Sequence, residues 1–334
     1  MFTKVNLVCF VLLCTLNFSF AKYYQSYQNL VSNNNSDDYY YDDEVCEPSS
    51  LPPHPDSMCC GVDSTSSNRI IGGAPTALFQ YPWLAMIEYK ILKYQNWLTP
   101  RCGGSLISGR HVLTAAHCVA GEILLDSTPY NVILGDYDKH HEGPDCITTK
   151  EGKQCNEGAV RIRIDKIFAH EKFGEKTMKN DIALVKLKTM APYNNAIRPI
   201  CLPFSNLLNH AQRNQFLYAA GWGTMKQVQV GEKYKGTTSS VKRHVIMPFV
   251  TTKKCKSVWR SLVTENHICA GGEGGKDACM GDSGGPLMND NDGIFDIVGV
   301  VSFGAGDPCG KPGVPGVYTN VYRYKDWIAH RLRL

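Results

Sequence analysis

The chain has 334 residues, enough for two domains or for one large domain with extensions. Its hydrophobic content of 43% is ordinary for a globular protein. The formal net charge of +4 is unevenly distributed: residues 22–69 carry two basic and eight acidic side chains, and residues 70–334 carry 32 basic and 23 acidic ones. The basic part has no basic helix and no run of Lys and Arg with interleaved aromatic residues, which argues against a nucleic-acid partner.

Residues 1–21 have the three parts of a secretory signal peptide. Lys4 gives the positive start, Val5–Leu16 the apolar run, and Ser19 and Ala21 the small residues that a signal peptidase recognises. The alternative is a membrane anchor, but this run is too short and is interrupted by polar residues. No other stretch of the sequence could span a bilayer. We therefore expect a secreted, extracellular protein with no membrane partner, whose twelve remaining cysteines form disulfides.

Residues 22–69 are interpreted as an acidic pro-segment. Lys22–Glu44 is poor in aliphatic residues and ends in the acidic, tyrosine-rich run Asp37–Glu44, so it cannot bury enough apolar surface to order itself. Asn34-Asn35-Ser36 is an N-glycosylation sequon in this exposed part. Val45–Asn68 places three cysteines among Pro and Ser, which is typical of a linker with disulfide anchors. The pro-segment is therefore predicted to be largely disordered.

Arg69 ends the pro-segment. It follows the polar residues Ser66-Ser67-Asn68 and precedes Ile70-Ile71-Gly72-Gly73, so it is an accessible cleavage site for an upstream trypsin-like protease. Cleavage after Arg69 would create a new α-amino group on Ile70. The alternative is an ordinary arginine in front of a strand.

From Ile70 onward, short apolar runs alternate with turn signals, and long helical periodicity is rare. Two stretches are predicted helices, Thr251–Trp259 and the C-terminal Tyr322–Leu334. This pattern indicates an all-β fold of antiparallel barrels or sandwiches with a C-terminal helix. The predicted strands are Trp83–Tyr89, Gly104–Ser108, Tyr130–Leu134, Val160–Phe168, Ile182–Leu187, Phe216–Ala220, Val241–Pro248, Gly293–Phe303 and Gly316–Val321.

Ser283 lies in the sequence GDSGGP, residues 281–286. A serine nucleophile needs a sharp turn that exposes its hydroxyl and backbone N–H groups that face a developing oxyanion. Glycines on both sides allow that turn and let a substrate approach closely. Asp282 is an acid that needs a cationic partner if it is buried, and the new α-amine of Ile70 would supply one. The alternative is a glycine-rich surface loop.

His117 and Asp181 lie in equally tight local sequences. His117 follows an apolar strand and two small alanines, which would let it pack closely against a neighbouring barrel. Asp181 opens another apolar strand, where a half-buried carboxylate could orient an imidazole by accepting its N–H. Taken alone, a histidine of this kind is more often structural and an aspartate more often a cap. The order His117, Asp181, Ser283 favours a catalytic set.

With these motifs, residues 70–334 resemble the trypsin/chymotrypsin-like serine proteases. The resemblance implies two six-stranded antiparallel β-barrels with the site between them. It also implies Ser283 as nucleophile, His117 as general base and then acid, and Asp181 as the residue that orients it. The N–H groups of Gly281 and Ser283 would form the oxyanion hole. The motifs are those around Ile70, His117, Asp181 and Ser283, together with Gly221-Trp222-Gly223 and Pro315-Gly316-Val317-Tyr318.

The resemblance also places Asp277 at the floor of a primary specificity pocket. A carboxylate there stays ionised opposite a cation, so we expect cleavage after Arg or Lys. Ala278 lacks the hydroxyl that would help to hold an ammonium, which favours Arg over Lys. The pocket walls would come from Ser302, Gly304 and Gly316.

The cysteines are similar to those of the arthropod clip-domain proteases that activate prophenoloxidase or process Toll ligands. A full clip module has six cysteines, so the clip segment is reduced here and its fold is in question. By analogy with these proteases the disulfides are Cys102–Cys118, Cys146–Cys155, Cys255–Cys269, Cys279–Cys309 and Cys60–Cys201, which leaves Cys46 and Cys59 to pair.

This chemistry requires no cofactor. Relatives bind calcium in the loop that here begins at Asp136, so Asp136 and Asp138 are candidate ligands, with a solvated loop as the alternative. No fourth-ligand spacing supports zinc at His140-His141. The resemblance implies protein substrates cleaved after Arg, an upstream activating protease and serpin-type inhibitors as partners.

Two other interpretations of the function differ from a protease zymogen of an extracellular cascade or venom. A protease homologue that acts as a binding cofactor usually has its catalytic serine replaced, whereas Ser283, His117 and Asp181 are all present. A digestive trypsin usually discards a short pro-peptide, unlike the long acidic segment of this chain. Immune, developmental and venom roles are not separated by the sequence.

Overall fold

The computed structural model describes residues 46–63, 73–94, 97–150, 152–212, 214–230, 233–306 and 308–334. The predicted signal peptide, the run Asp37–Glu44, the sequon at Asn34 and the cleavage site at Arg69 and Ile70 lie outside these residues. Within the described ranges, no helix is long and apolar enough to cross a membrane.

The described residues form strands and short helices, as follows. The helices are α1 (Thr252–Trp259) and the C-terminal α2 (Lys325–Arg331), with several single 3-10 turns between strands. The strands are β1 (Ala74–Pro75), β2 (Leu84–Ile91), β3 (Leu98–Ser108), β4 (His111–Thr114), β5 (Ser127–Leu134), β6 (Cys146–Thr149), β7 (Gly152–Cys155), β8 (Val160–Ala169), β9 (Ala183–Leu187), β10 (Phe216–Gly221), β11 (Thr224–Val230), β12 (Lys233–Thr238), β13 (Arg243–Val250), β14 (His267–Gly271), β15 (Pro286–Asn291), β16 (Ile294–Phe303) and β17 (Pro315–Asn320).

The first barrel closes in the order β2-β3-β4-β9-β8-β5, and every pairing is antiparallel. Apolar side chains on these strands, such as Ile87, Leu113, Val132 and Leu184, are fully buried and fill its interior. Burial of apolar area is the main stabilising term for a closed sheet of this kind.

The second barrel has the order β13-β10-β15-β16-β17-β14 and closes through the pairing of β14 with β13. The short strand β1 adds to the outside of β13, where Ala74 is opposite His244. Its core contains Leu217, Met247, Leu287 and Val298 among other buried residues. The structure therefore confirms the predicted class, with two six-stranded antiparallel barrels and a C-terminal helix.

Every predicted strand corresponds to an observed strand, although β3 begins at Leu98 rather than at the predicted Gly104. The observed strands missing from the prediction are β1, β4, β6, β7, β11, β12, β14 and β15. β14 has the sequence HICAG, and β15 begins with a proline and ends in polar residues, so neither has a β-branched apolar run. The C-terminal helix is shorter than predicted, because Val321–Tyr324 forms a 3-10 turn in front of α2.

Residues 46–63 of the pro-segment pack on both barrels. The N–H of Gly61 donates to the carbonyl of Pro199 at 2.9 Å, and the carbonyl of Gly61 accepts from the N–H of Phe295 at 2.8 Å. Further along, the carbonyl of Ser49 accepts from the N–H of Gly109 at 2.7 Å. This part of the predicted linker is therefore held in a fixed place by backbone hydrogen bonds.

Six disulfides join the twelve described cysteines. They include Cys60–Cys201, which links the pro-segment to the protease part, and Cys46–Cys59 within the pro-segment. Five of the six are pairs that the resemblance implies, and Cys46–Cys59 joins the two cysteines that it left over. The others are Cys102–Cys118, Cys146–Cys155, Cys255–Cys269 and Cys279–Cys309.

Cleavage after Arg69 is expected to leave the two parts of the chain covalently joined, because Cys60–Cys201 crosses the cut. Cleaved protein should run as one band on a non-reducing gel and as two bands after reduction. Cys201→Ser should release the light chain without reductant, whereas the control Cys46→Ser/Cys59→Ser should not. Two bands from cleaved wild type before reduction would contradict the tether.

Candidate active site

The histidine of the site is held by its neighbours on both sides. His117 lies in the 3-10 turn Ala116–Cys118, directly after the fully buried Ala115. Cys118 is joined to Cys102 on β3, so the turn is fixed to the first barrel. The imidazole keeps about a fifth of its surface exposed, with a side-chain exposure of 21%. A ring held this way can face both the interior and an incoming substrate.

Asp181 accepts hydrogen bonds from His117 with both carboxylate oxygens. The main-chain N–H of His117 donates to Oδ1 at 2.9 Å, and the ring Nδ1 lies 2.8 Å from Oδ2. Asp181 is 0% exposed. A buried carboxylate must find donors, and one that accepts the Nδ1 proton fixes the tautomer that leaves Nε2 as the base.

A further donor to Asp181 comes from the second barrel. The hydroxyl of Ser302, on β16, donates to Asp181 Oδ2 at 2.5 Å, and the hydroxyl of Thr319, on β17, donates to the main-chain oxygen of Asp181 at 2.7 Å. The resemblance placed Ser302 in the wall of the specificity pocket, and the contact of its hydroxyl with Asp181 was not expected from the sequence. Ser302 and Asp181 are 121 residues apart in the chain, so no local sequence signal pointed to this contact.

The backbone of Ser283 is fixed against the first barrel. Its carbonyl accepts from the N–H of Gly103 at 2.7 Å and lies 3.6 Å from the sulfur of Cys118, the neighbour of His117. Gly284 has φ +79° and abuts Thr114, so a Cβ atom there would overlap the threonine hydroxyl. Only glycine suits this turn.

The turn leaves two backbone donors free. Gly281 has φ +97°, and among the described residues the N–H groups of Gly281 and Ser283 donate to no other group of the chain. Two unpaired backbone donors in the turn that carries a serine hydroxyl can receive an oxyanion. The same described contacts include no hydrogen bond from Ser283 Oγ to His117 Nε2, a bond that is often long in the absence of substrate.

Asp277 lies in a glycine-lined recess. Its carboxylate contacts Gly316 so closely that a Cβ there would lie 2.7 Å from Oδ1, and a Cβ on Gly304 would lie 3.8 Å from Oδ2. Burial raises the pKa of Asp277 to about 7, although main-chain groups of Gly310 and Ala278 oppose this shift. The two glycines therefore place no side chain next to this carboxyl group.

Asp282 is enclosed by the Gly221-Trp222-Gly223 segment. Its Oδ1 accepts from the N–H of Gly223 at 2.8 Å, and its Oδ2 accepts from the N–H of Cys279 at 3.0 Å. A Cβ on Gly221 or on Gly223 would overlap the carboxylate, which gives the two glycines a steric role. Burial raises the pKa of Asp282, and these donors and the Lys139 ammonium act against that shift.

The candidate calcium ligands lie in the loop after β5. Asp136 is buried with its Oδ1 lacking a hydrogen-bond partner, while Asp138 Oδ1 accepts from the N–H of His140 at 3.1 Å. Asp145 in the same loop is engaged, since its Oδ2 accepts from the N–H of Tyr137 and its Oδ1 lies 2.9 Å from His141 Nδ1. The orphaned oxygen of Asp136 suits a cation, but calcium at Asp136 and Asp138 stays a prediction.

One cluster of ligand-type side chains is close enough to hold an ion among the residues that the structure describes. It consists of Cys102, His117 and Cys118, and its two cysteines are bonded to each other. A disulfide has no thiolate to offer a metal, so this cluster is part of the histidine's support.

Comparisons with known proteins agree with this geometry. Residues 70–328 match the family model described as Trypsin. The chain is 41% identical over 296 residues to the phenoloxidase-activating enzyme of Bombyx mori, covering 86% of this chain and 66% of that protein. It is 39% identical over 280 residues to CLIP domain-containing serine protease B4 of Anopheles gambiae, covering 82% of this chain and 72% of that one.

A solved structure, the Drosophila Grass clip serine protease of the Toll pathway, matches with a TM-score of 0.67 and 32% sequence identity, covering 80% of this chain and 73% of that chain. The family match spans more than half of the chain and includes every described residue of the site. The chain belongs to the trypsin family of serine proteases.

Proposed function

We propose that this protein is a secreted serine endopeptidase zymogen, activated by cleavage between Arg69 and Ile70, that cuts proteins after Arg and less readily after Lys. The observation that carries the proposal is the buried Asp181 carboxylate, which binds His117 from one barrel and Ser302 from the other. This arrangement orients a base beside a serine that has two free backbone donors.

In the proposed mechanism, Ser283 Oγ attacks the substrate carbonyl carbon while His117 Nε2 removes its proton. Asp181 stabilises the imidazolium that forms, since its Oδ2 lies 2.8 Å from Nδ1. The N–H groups of Gly281 and Ser283 bind the oxyanion of the tetrahedral intermediate. His117 then protonates the leaving amine, and water attacks the acyl-enzyme by the same route in reverse.

Asp277 determines the proposed preference for a basic residue. Its carboxyl group lies next to Gly304 and Gly316, so neither residue places a side chain over it. Planar guanidinium binds a carboxylate with two parallel hydrogen bonds, whereas ammonium depends more on additional oxygen acceptors. Ala278 provides no hydroxyl beside Asp277, so Arg is favoured over Lys.

Activation is proposed to depend on the α-amine of Ile70. Asp282 is buried and accepts hydrogen bonds from two backbone N–H groups. The residues on either side of it, Gly281 and Ser283, carry the proposed oxyanion donors. A new cation at Asp282 would stabilise its ionised form and thereby fix the loop.

The biological role is proposed from the relatives. Their printed names include a phenoloxidase-activating enzyme and a clip protease of the Toll pathway. This chain has the tether that Cys60–Cys201 makes, and its six described disulfides fit an oxidising, extracellular location. We place it in an extracellular proteolytic cascade such as melanization or Toll activation, or in a venom. An upstream trypsin-like protease would activate it, and serpin-type inhibitors would stop it.

Ser283→Ala is expected to abolish catalysis while leaving the fold intact. After cleavage at Arg69, kcat on an Arg amide substrate should fall by about five to six orders of magnitude, because members of a triad act as one unit. The control Ser257→Ala removes an exposed hydroxyl on α1 and should keep full activity. Comparable activity in the two variants would refute the nucleophile assignment.

Affinity for a cationic pocket ligand is expected to fall at low pH. The pKa of Asp277 is raised to about 7, so lowering the pH through 7 protonates it and removes the anion that an amidinium needs. Calorimetry of benzamidine with cleaved Ser283→Ala protein should show a plateau above pH 7 and a loss approaching about tenfold per pH unit below it.

Two variants isolate Asp277 in that titration. Adding His117→Ala removes the imidazole of the catalytic set, and the pH dependence should remain. Asp277→Asn should weaken binding at every pH and flatten the curve. An affinity of the Ser283→Ala protein that stays constant between pH 5.5 and 8.5 would contradict the assignment of Asp277 to the pocket floor.

Arg69→Gln is expected to keep the chain latent, because trypsin-like enzymes cut after Arg and Lys and no Ile70 amine can form. Treated with a protease that cuts after both Arg and Lys, the variant should stay uncut at this bond and show far lower amidase activity than cleaved wild type. Arg69→Lys is the matched control and should still be activated. Uncut Arg69→Gln protein as active as the cleaved enzyme would overturn the activation model.

A further inference from the structure

Lys139 is a half-buried lysine near the active-site loop that the proposed mechanism does not use. It lies in the loop after β5 and borders a cavity of about 300 Å³ that Asp282 and Gly281 also line. Burial lowers its pKa, whereas the nearby carboxylate of Asp282 acts to raise it. A lysine held partly out of water needs specific partners for its ammonium.

Three hydrogen bonds hold Lys139. Its Nζ donates to Thr238 Oγ1 at 2.9 Å and to the carbonyl of Trp222 at 3.3 Å. Its main-chain N–H donates to the carbonyl of Ser240 at 3.0 Å. The residue therefore ties the loop after β5 to two other backbone segments, the Trp222 segment and the end of the β11–β12 hairpin.

One peptide group separates Lys139 from Asp282. The carbonyl of Trp222 accepts from the lysine, and the N–H of the same peptide, on Gly223, donates to Asp282 Oδ1 at 2.8 Å. A cation at the carbonyl end and an anion at the N–H end polarise the peptide in the same sense. Both hydrogen bonds are strengthened by this arrangement.

Gly281 packs between the two segments that the lysine binds. A Cβ on Gly281 would lie 3.2 Å from Gly223 Cα and 4.0 Å from Thr238 Cγ2. Movement of either segment would therefore open or close the space around Gly281. Its N–H is one of the two proposed oxyanion donors, so its position bears on the chemical step.

We propose that Lys139 is a positioning residue of the oxyanion loop. It holds Trp222–Gly223 and Thr238 around Gly281, and through the shared peptide it stabilises the ionised, oriented carboxylate of Asp282. The inference rests on the proposed roles of Ser283 and Gly281. Its effect is largest in the uncut chain, because cleavage adds the Ile70 amine as a second cation for Asp282.

The test measures how fast a fluorophosphonate probe bonds to Ser283 Oγ with release of fluoride. In the uncut Arg69→Gln protein, Lys139→Met should lower the second-order rate by about tenfold, the loss expected for a hydrogen bond from a charged group. Lys139→Arg keeps a cation that can donate to both acceptors and should restore most of the rate. The matched control is Lys153→Met, an exposed lysine on β7.

In the cleaved enzyme, Lys139→Met should lower kcat several-fold on an Arg amide substrate and leave KM nearly unchanged. A merely structural lysine would instead lower the unfolding midpoint without this split. Equal labelling rates for the uncut Arg69→Gln protein with and without Lys139→Met would overturn the inference. An uncut Arg69→Gln protein that does not react with the probe at all would overturn it as well. Unlabelled cleaved wild type would refute the role of Ser283 itself, and the inference with it.

Discussion

The buried carboxylate of Asp181 is the point at which the two barrels are joined at the site. It receives a main-chain and a ring nitrogen from the first barrel and the hydroxyl of Ser302 from the second. A buried charge that loses its donors is strongly destabilising. The barrels therefore cannot shift against each other at this point without a large cost, and the orientation of His117 follows from that constraint.

Local sequence was sufficient to predict those site residues whose chemistry requires particular residues beside them. Glycines flank Ser283 because the turn needs positive φ at Gly281 and Gly284, and Gly221 and Gly223 leave room for Asp282. Contacts between ordinary residues far apart in the chain gave no such signal. Ser302 lies 121 residues from Asp181, and Lys139 lies 83 residues from Trp222, so only the folded chain shows what they bind.

The fold was predictable where strands are rich in apolar and β-branched residues, as in β5 and β9. It was not predictable in β14 and β15, whose pairing is imposed by neighbouring strands of the barrel rather than by their own composition. The described part of the pro-segment is a similar case. Its sequence correctly indicates that it has no core of its own, but it cannot show that the backbone of Gly61 joins β16 through Phe295.

That docking of residues 46–63, together with Cys60–Cys201, keeps this part of the pro-segment on the protease part. When two binding modules are tethered, binding of one makes binding of the other intramolecular. Its effective concentration then reaches about a millimolar for short linkers. A weak ligand of residues 46–63 would then retain the whole enzyme, and proteolysis would be confined to surfaces that carry that ligand. Such confinement depends only on the distance between the enzyme and that surface, and it needs no change in the catalytic residues.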